Sequence, residues 1–346
     1  MPNPADPLPP LPLSASGQIL HMSFTALVIA RAVYVAAKLG IPDLLQDRQR
    51  SSEDLAHATD THPGSLYRLL RALSSAGIVS EFPERRFALT TVGSVLRSDV
   101  PGSMRALVLF CGEPFYLQAW QEILYSVQTG KPAWDKVHGM PVFDYFRQHP
   151  EDARIFDEAM TSLSWAEAQA VVRAYDFARF RTLVDVGGGH GRLLTTILHA
   201  NPQLHGIVFD QSQVVEGARS QMASEGLTPR CDVVAGDFFQ AVPRGGDAYM
   251  LKSVIHDWDD ALSVAILINC RQAMTAEARL LVVETVVPPP GETHYAKYQD
   301  LEMLVLLGSQ ERTVEEYTAL LRRAQFELVR VVPTQERLSI VEAVPV

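Results

Sequence analysis

A chain of 346 residues is longer than one hydrophobic core normally serves, and at about 150 residues per domain it predicts roughly two domains. Apolar residues make up 47% and charged residues 20%, a globular mix that excludes disorder over most of the length. Thirty Lys and Arg against forty Asp and Glu leave a formal charge of -10, so no general basic surface exists and nucleic acid is not expected as a partner.

The first 13 residues hold six prolines and no basic residue, which excludes a signal peptide and predicts an extended, poorly ordered tail over residues 1 to 14. The most apolar stretch, residues 24 to 41, is interrupted by Arg31 and Lys38 and ended by Gly40 and Pro42. That pattern predicts a buried helix, and no membrane association is expected. Residues 18 to about 175 read as mostly helical, with apolar positions three and four apart over 19 to 39, 65 to 76 and 115 to 127. Within them, residues 51 to 90 begin with a Ser-x-Glu-Asp cap and predict two short helices, Gly77 as a C-cap, and two strands about Pro83-Glu84-Arg85. This is the outline of a winged helix. Residues 51 to 97 carry five acidic residues and five arginines, however, and a module that docks in a DNA groove needs a basic face. Three widely spaced cysteines, Cys111, Cys231 and Cys270, with no CxxC pair, fit a reducing cytoplasm.

After Phe180 the pattern changes to short apolar strands alternating with helices: residues 182 to 186, 206 to 210, 231 to 235, 248 to 252 and 279 to 284. Such alternation predicts an α/β fold with a parallel sheet and a ligand at the carboxyl ends of the strands. The expected divisions are the tail (1 to 14), a helical winged-helix region (15 to 100), linking helices (101 to 178) and the α/β domain (179 to 346).

The first of these strands runs through LVDVGGGHGR, residues 183 to 192, into a glycine turn and a helix. Glycines there let backbone approach a ligand closely. Arg192 occupies the place of the third glycine of a dinucleotide loop, which disfavours a nicotinamide cofactor. Asp185, inside the strand, needs a reason such as a bound cation or a backbone donor. Asp210 ends the second strand, where it can accept from the two hydroxyls of a ribose or serve as a loop carboxylate or helix cap. The third strand leads into Gly236-Asp237-Phe238-Phe239, where an acid and an aromatic face suit an adenine ring, unless the two phenylalanines are core.

The succession of LVDVGGGHGR, IVFD, GDFF, MLKSVIHDWDD, VVETVVP and QERT resembles the S-adenosylmethionine-dependent O-methyltransferases with an N-terminal dimerisation domain, among them plant caffeic acid and flavonoid enzymes and bacterial antibiotic-tailoring enzymes. The resemblance covers nearly the whole chain after the tail. It implies a Rossmann-like methyltransferase domain, a winged-helix region used for dimerisation, a homodimer, and S-adenosylmethionine as cofactor. It assigns the cofactor to Asp185, Gly187, Gly189, Asp210, Gly236, Asp237, Phe238 and Lys252. It departs from the family's usual residues at His190, in place of Thr, and at Phe238, where plant members often have Met.

The resemblance also makes His256 the general base, with Glu284 and Glu311 flanking it. An imidazole of ordinary pKa near 6.5 is largely neutral at pH 7 and able to take the proton of an attacking hydroxyl. Thr313-Val-Glu-Glu, just after Glu311, reads as a capping box, which competes with the catalytic account of the segment. No His/Cys cluster or carboxylate triad suggests a metal, and a metal-independent site is expected. Aromatic and sulfur residues are dense in the linking helices, among them Phe110, Phe115, Phe146, Met160 and Trp165, and most are expected to be core. The resemblance draws Met160, Trp165, Asp257, Met303 and Leu307 into an acceptor site for a small aromatic hydroxyl compound. Nitrogen or carbon methylation, a non-methylating reaction on the same scaffold, and a ligand-sensing DNA binder are the competing readings.

Overall fold

The computed structural model describes residues 13 to 346, so the proline-rich tail lies outside the described residues up to residue 12. The chain forms two compact units: Met1–Gln118 with Phe146–Leu163, and Ala119–Tyr145 with Ser164–Val346. The linking helices expected over 101 to 178 are therefore divided between the two.

In the first unit, Ser51 caps the helix Ser52–Ala58 by accepting from the Asp54 amide at 3.0 Å. The helix Pro63–Ser75 follows, and Gly77, at φ +73°, ends it in the left-handed region that favours glycine. Strands Val79–Phe82 and Arg86–Leu89 pair antiparallel, with Arg50–Ser51 as a third strand. Leu55, Leu66, Leu70, Leu73, Val79 and Phe87 form the core with Ala32, Ala36, Ile41 and Leu45 of the preceding helices. This is the winged-helix arrangement that the pattern predicts. Phe110, Phe115, Phe146 and Phe156 pack ring against ring in the same unit, the core role expected of most such residues.

Two expectations need correction. The stretch 115 to 127 is not one helix but two, Pro114–Gln121 and Ile123–Thr129, because the chain tightens at Glu122, whose amide bonds Ala119 three residues back. The apolar N-terminal stretch is helical, yet in the single chain only Ala32, Ala36 and Ala37 of Ala26–Lys38 are buried. Ile19, Leu20, Met22, Phe24 and Leu27 are 60 to 66% exposed. By length and composition alone, Ala15–Lys38 could cross a membrane, a test that a packing helix of a soluble protein also passes. Arg31, Tyr34 and Lys38 are engaged within the unit. Arg31 donates to the Gly112 carbonyl at 2.7 Å, and Lys38 and the Tyr34 hydroxyl both reach Glu113, at 2.7 and 3.2 Å.

The second unit is built on a seven-stranded sheet in the spatial order Phe326–Pro333, Ser339–Pro345, Arg279–Glu284, Ala248–Lys252, Thr182–Val186, His205–Asp210, Cys231–Ala235. The five strands expected from the pattern are mutually parallel, and the last two in the chain form an antiparallel hairpin at one edge. Alternate residues serve opposite faces. Leu183, Met250, Leu281, Val283 and Ile340 enter one apolar cluster, while Val184, Val186, Tyr249, Leu251, Leu280 and Val282 enter the other. Both faces are thus covered, and the carboxyl edge of the parallel strands is left for chemistry.

Gly112 offers a check on the first unit, since an added Cβ would stand 1.9 Å from Cδ2 of Tyr34. Gly112→Val should displace that ring and cost about 1 to 3 kcal/mol, read as a melting temperature lowered by at least about 2 °C. An unchanged melting curve would mean that Tyr34 does not lie against Gly112.

Candidate active site

The parallel strands end on a common edge, and the residues that finish or follow them converge there. After Val186 the glycine turn folds back on the neighbouring strand, with the Gly187 and Gly188 amides donating to the Phe209 carbonyl at 2.8 and 3.3 Å. Gly187 has φ +70°, and a Cβ on it would meet Val254 at 2.8 Å, so only glycine fits. Gly189, at φ +58°, has nothing within 4 Å of where its Cβ would be, which leaves open space for a ligand over the loop.

Asp210 braces this turn. Its Oδ2 accepts from the Gly189 amide at 2.8 Å and its Oδ1 from the Gln211 amide at 2.7 Å, so the loop-carboxylate reading holds, and each oxygen keeps a further lone pair for a ligand. Asp185 lies beneath the turn, its carboxyl carbon 2.8 Å from where a Cβ on Gly188 would be. Burial, then the charge of Asp210, pushes its pKa up to about 7 against the pull of Lys252. The cation this carboxyl needs is thus in part supplied by the chain. Lys252 itself lies 2.7 Å from the buried Glu167 and 3.3 Å from Ser164 Oγ.

At the end of the third strand, Asp237 is exposed and accepts from the Phe239 amide at 2.9 Å. Gly236 is packed so closely on Phe209 that a Cβ would come within 2.4 Å of its ring. Phe238 is half-buried, edge-on to Phe239 at 4.9 Å, and its ring lies 3.6 Å from the Gly187 Cβ position. It therefore belongs both to the core and to the rim of the glycine turn.

His256 is held by three carboxyl groups. Nδ1 lies 2.8 Å from Glu311 Oε1 and 3.6 Å from Glu284 Oε2, and Nε2 lies 3.4 Å from Asp257 Oδ1. Glu284 ends its strand and uses Oε1 to accept from the Val254 and Ile255 amides, both at 2.9 Å. Those amides point at it because Ser253 adopts φ +53°, a left-handed conformation that turns the chain sharply after the strand. Glu311 is set beside Glu284 by a short parallel pairing of Val286–Val287 with Arg312–Thr313, and its amide donates to Asp300 at 2.9 Å. The competing account of this segment also holds: Thr313 and Glu316 form a capping box, two and five residues beyond Glu311, so cap and acid coexist.

The electrostatics correct one expectation. Burial alone would strip the proton from His256, but Glu284, Asp257 and Glu311 outweigh it and hold its pKa up at about 10. In the protein alone the surrounding acids therefore favour the imidazolium, in place of the largely neutral imidazole expected. Burial also pushes Glu284 up to about 7, with His256 opposing and the other acids adding to the rise. Nδ1 of His256 and carboxylate oxygens of Glu284 and Glu311 lie within 4.8 Å of one another, a potential ligand set that the linear sequence does not display.

Of the residues expected at the acceptor, Asp257 is half-buried against the histidine, Met303 is buried, Leu307 is half-buried, and Trp165 is 42% exposed, all in the second unit. Met160 is half-buried and belongs to the first unit. Three supporting residues were missed. Arg312 is fully buried and donates to the Ile255 and Trp258 carbonyls at 3.1 and 2.9 Å and to Asp260 at 2.9 Å, clamping the turn that carries His256. Glu167 and Arg337 pair behind Lys252, and Arg337 continues to the buried Gln299. The only sequence signal for Arg312 was its place beside Glu311 in QERT.

Comparisons with known proteins point to one family. The O-methyltransferase domain model matches residues 120–327, and the O-methyltransferase dimerisation domain model matches residues 22–99. Phenazine O-methyltransferase PhzM of Lysobacter antibioticus is 44% identical over 336 residues, 97% of each chain. An 8-amino-8-demethylriboflavin N,N-dimethyltransferase of Streptomyces davaonensis is 39% identical over 96% of each chain. The crystal structure of CalO1, a methyltransferase in calicheamicin biosynthesis, in its S-adenosylhomocysteine-bound form, matches with a TM-score of 0.88 at 36% identity over 97% of this chain and 100% of that one.

Asp185 yields a test by pH. The unfolded chain gives up this proton near pH 4, while the folded chain keeps it to about 7, so the wild type loses stability across that window as pH rises. Asn carries no such proton. The melting temperature of Asp185→Asn, relative to wild type, should rise between pH 4 and 7 and then level off; a difference that stays flat would mean that Asp185 ionises normally.

Proposed function

Because the chain belongs to the O-methyltransferase family, whose methyl donor is S-adenosylmethionine, we propose that it methylates a hydroxyl, phenolic in character, on a small aromatic compound of secondary metabolism. When bound, the donor supplies a methyl group on a positively charged sulfur that needs no metal to depart. The observation that carries the reading is the engagement of His256 Nδ1 by Glu311, 2.8 Å away, which leaves Nε2 to take the hydroxyl proton. Glu284 and Glu311 then hold the imidazolium that results. A cation bound beside the ring opposes its protonation, so the pKa of about 10 falls when the donor is present.

On this reading Gly187 and Gly189 admit the donor to the backbone, Asp210 accepts from its ribose, and Asp237 and Phe238 take the adenine. Gly236 allows that edge to close on Phe209, and Asp185 and Lys252 set the charge beneath the loop. Trp165, Asp257, Met303 and Leu307 contribute to acceptor binding. A second reading, transfer to an aromatic nitrogen, is favoured by the N,N-dimethyltransferase relative and keeps the same residues.

We further propose a homodimer, with the exposed apolar residues Ile19, Leu20, Met22, Phe24 and Leu27 covered by a second copy. Light scattering at micromolar concentration should give twice the 38.2 kDa chain mass, and Phe24→Glu with Leu27→Glu should reduce it to the single chain or precipitate the protein. A wild-type monomer would sink this assembly.

The base is tested by acceptor acidity. His256→Ala should retain donor binding and lose about 10²- to 10⁴-fold in turnover on a phenol of pKa near 10, but much less on a nitrophenol already ionised at neutral pH. Equal losses on both, in proteins of matched melting temperature, would make His256 a positioning residue instead. A panel that includes aromatic amines, screened by mass spectrometry with labelled donor, separates oxygen from nitrogen transfer.

A further inference from the structure

We propose that His256, Glu284 and Glu311 form an inhibitory site for a divalent transition metal, which Zn²⁺ occupies by taking the imidazole through Nδ1.

The donor set is one nitrogen and two carboxylates, all buried, with ligand atoms within 4.8 Å of one another. Zinc is held by such sets, often three protein ligands with a fourth position open. Two observations point to a ligand rather than to a closed hydrogen-bonded cluster. Glu284 Oε2 and Glu311 Oε2 are buried and accept no hydrogen bond, while the other oxygen of each carboxyl group accepts two bonds in Glu284 and one in Glu311. Zinc binding displaces the Nδ1 proton of the ring, and the divalent ion then cancels the two carboxylates beside a neutral imidazole.

Asp257 supplies the remaining part. With Nδ1 on a metal, the Nδ1 proton is released to solvent and the ring keeps its proton on Nε2, where Asp257 Oδ1, 3.4 Å away, is placed to accept a hydrogen bond from it. A carboxylate behind a ligating histidine is a recurrent outer-shell device that fixes the tautomer. His256 is therefore flanked for two arrangements: Nδ1–H on Glu311 with Nε2 free, or Nδ1 on metal with Nε2–H on Asp257. The second removes the lone pair that would receive the acceptor proton. Magnesium fits poorly, because it favours six oxygen ligands and retains water, whereas imidazole suits zinc, nickel and copper.

The site does not depend on the proposed function, but the inhibition does. The test uses the full-length protein, treated with EDTA, dialysed and titrated calorimetrically with Zn²⁺ alone. One site per chain is expected. His256→Ala, Glu284→Gln and Glu311→Gln should each weaken it at least about tenfold and Asp257→Asn by about 10- to 100-fold. The exposed Cys111 is the rival ligand, so Cys111→Ser should leave the affinity unchanged. Should a core variant fail to fold, the wild type loaded with Co²⁺ decides: visible bands without thiolate charge transfer support the site, and a thiolate band or no binding overturns it. Unaltered affinity in a folded His256→Ala protein also overturns it. In methyl transfer, Zn²⁺ should inhibit at its calorimetric dissociation constant and EDTA should restore activity. Zinc bound at this cluster without inhibition would instead count against His256 as the base.

Discussion

An imidazole surrounded by carboxyl groups, two of them fully buried, is the constraint around which this edge of the sheet is organised. A buried ion lacking partners costs several kcal/mol, so each group at such a place must be neutralised or hydrogen-bonded by something already fixed in position. Glu284 meets this with two backbone amides, Glu311 with the ring of His256, and the ring with acids on both sides. None of these supports is a mobile surface side chain. The arrangement therefore survives only if the turn between Lys252 and Asp260 is rigid.

That rigidity has two sources. Ser253 holds a left-handed conformation at φ +53°, a strain of about 1 to 3 kcal/mol that the following amides offset by bonding Glu284. Arg312 then spans the turn from below, bonding the Ile255 and Trp258 carbonyls and the Asp260 carboxylate. Since Arg312 adjoins Glu311, a single short strand pairing with Val286–Val287 positions both the acid that holds the ring and the cation that holds the turn. The glycine turn is bound into the same edge by Val254, which fills the space a side chain on Gly187 would need.

Much of this was legible because strands and turns carry local signatures. Each of the five parallel strands is an apolar run bounded by glycine or acid, and the winged helix announces its caps at Ser51 and Gly77. The closing hairpin, Phe326–Pro333 with Ser339–Pro345, was not anticipated, though residues such as Glu342 show why: a buried carboxylate, paired with Arg330 at 2.7 Å, breaks the apolar pattern in its strand. For the N-terminal helix, periodicity identifies an apolar face but not whether this chain or another copy covers it. The charge state of His256 was beyond reach, because it depends on Glu284 and Glu311, which approach it only through tertiary pairing.

The raised pKa of His256 has a consequence for how donor and base work together. On the proposed reading, a proton on this ring and the positive sulfur of the donor are like charges that would compete for the same acids, so each would weaken the other's hold, and by linkage the effect is reciprocal. An enzyme whose histidine were neutral from the outset would have a base ready but no field favouring a cation nearby. Here Glu284, Glu311 and Asp257 maintain a negative field that is occupied by a proton until a better-placed cation arrives. On the proposed reading, the acids that make the ring a poor base in the free protein are also the groups that draw the donor to the site, and they would stabilise the ring again once it has taken the proton of a hydroxyl. A neutral aromatic amine needs less of this, since its lone pair attacks before its proton is lost.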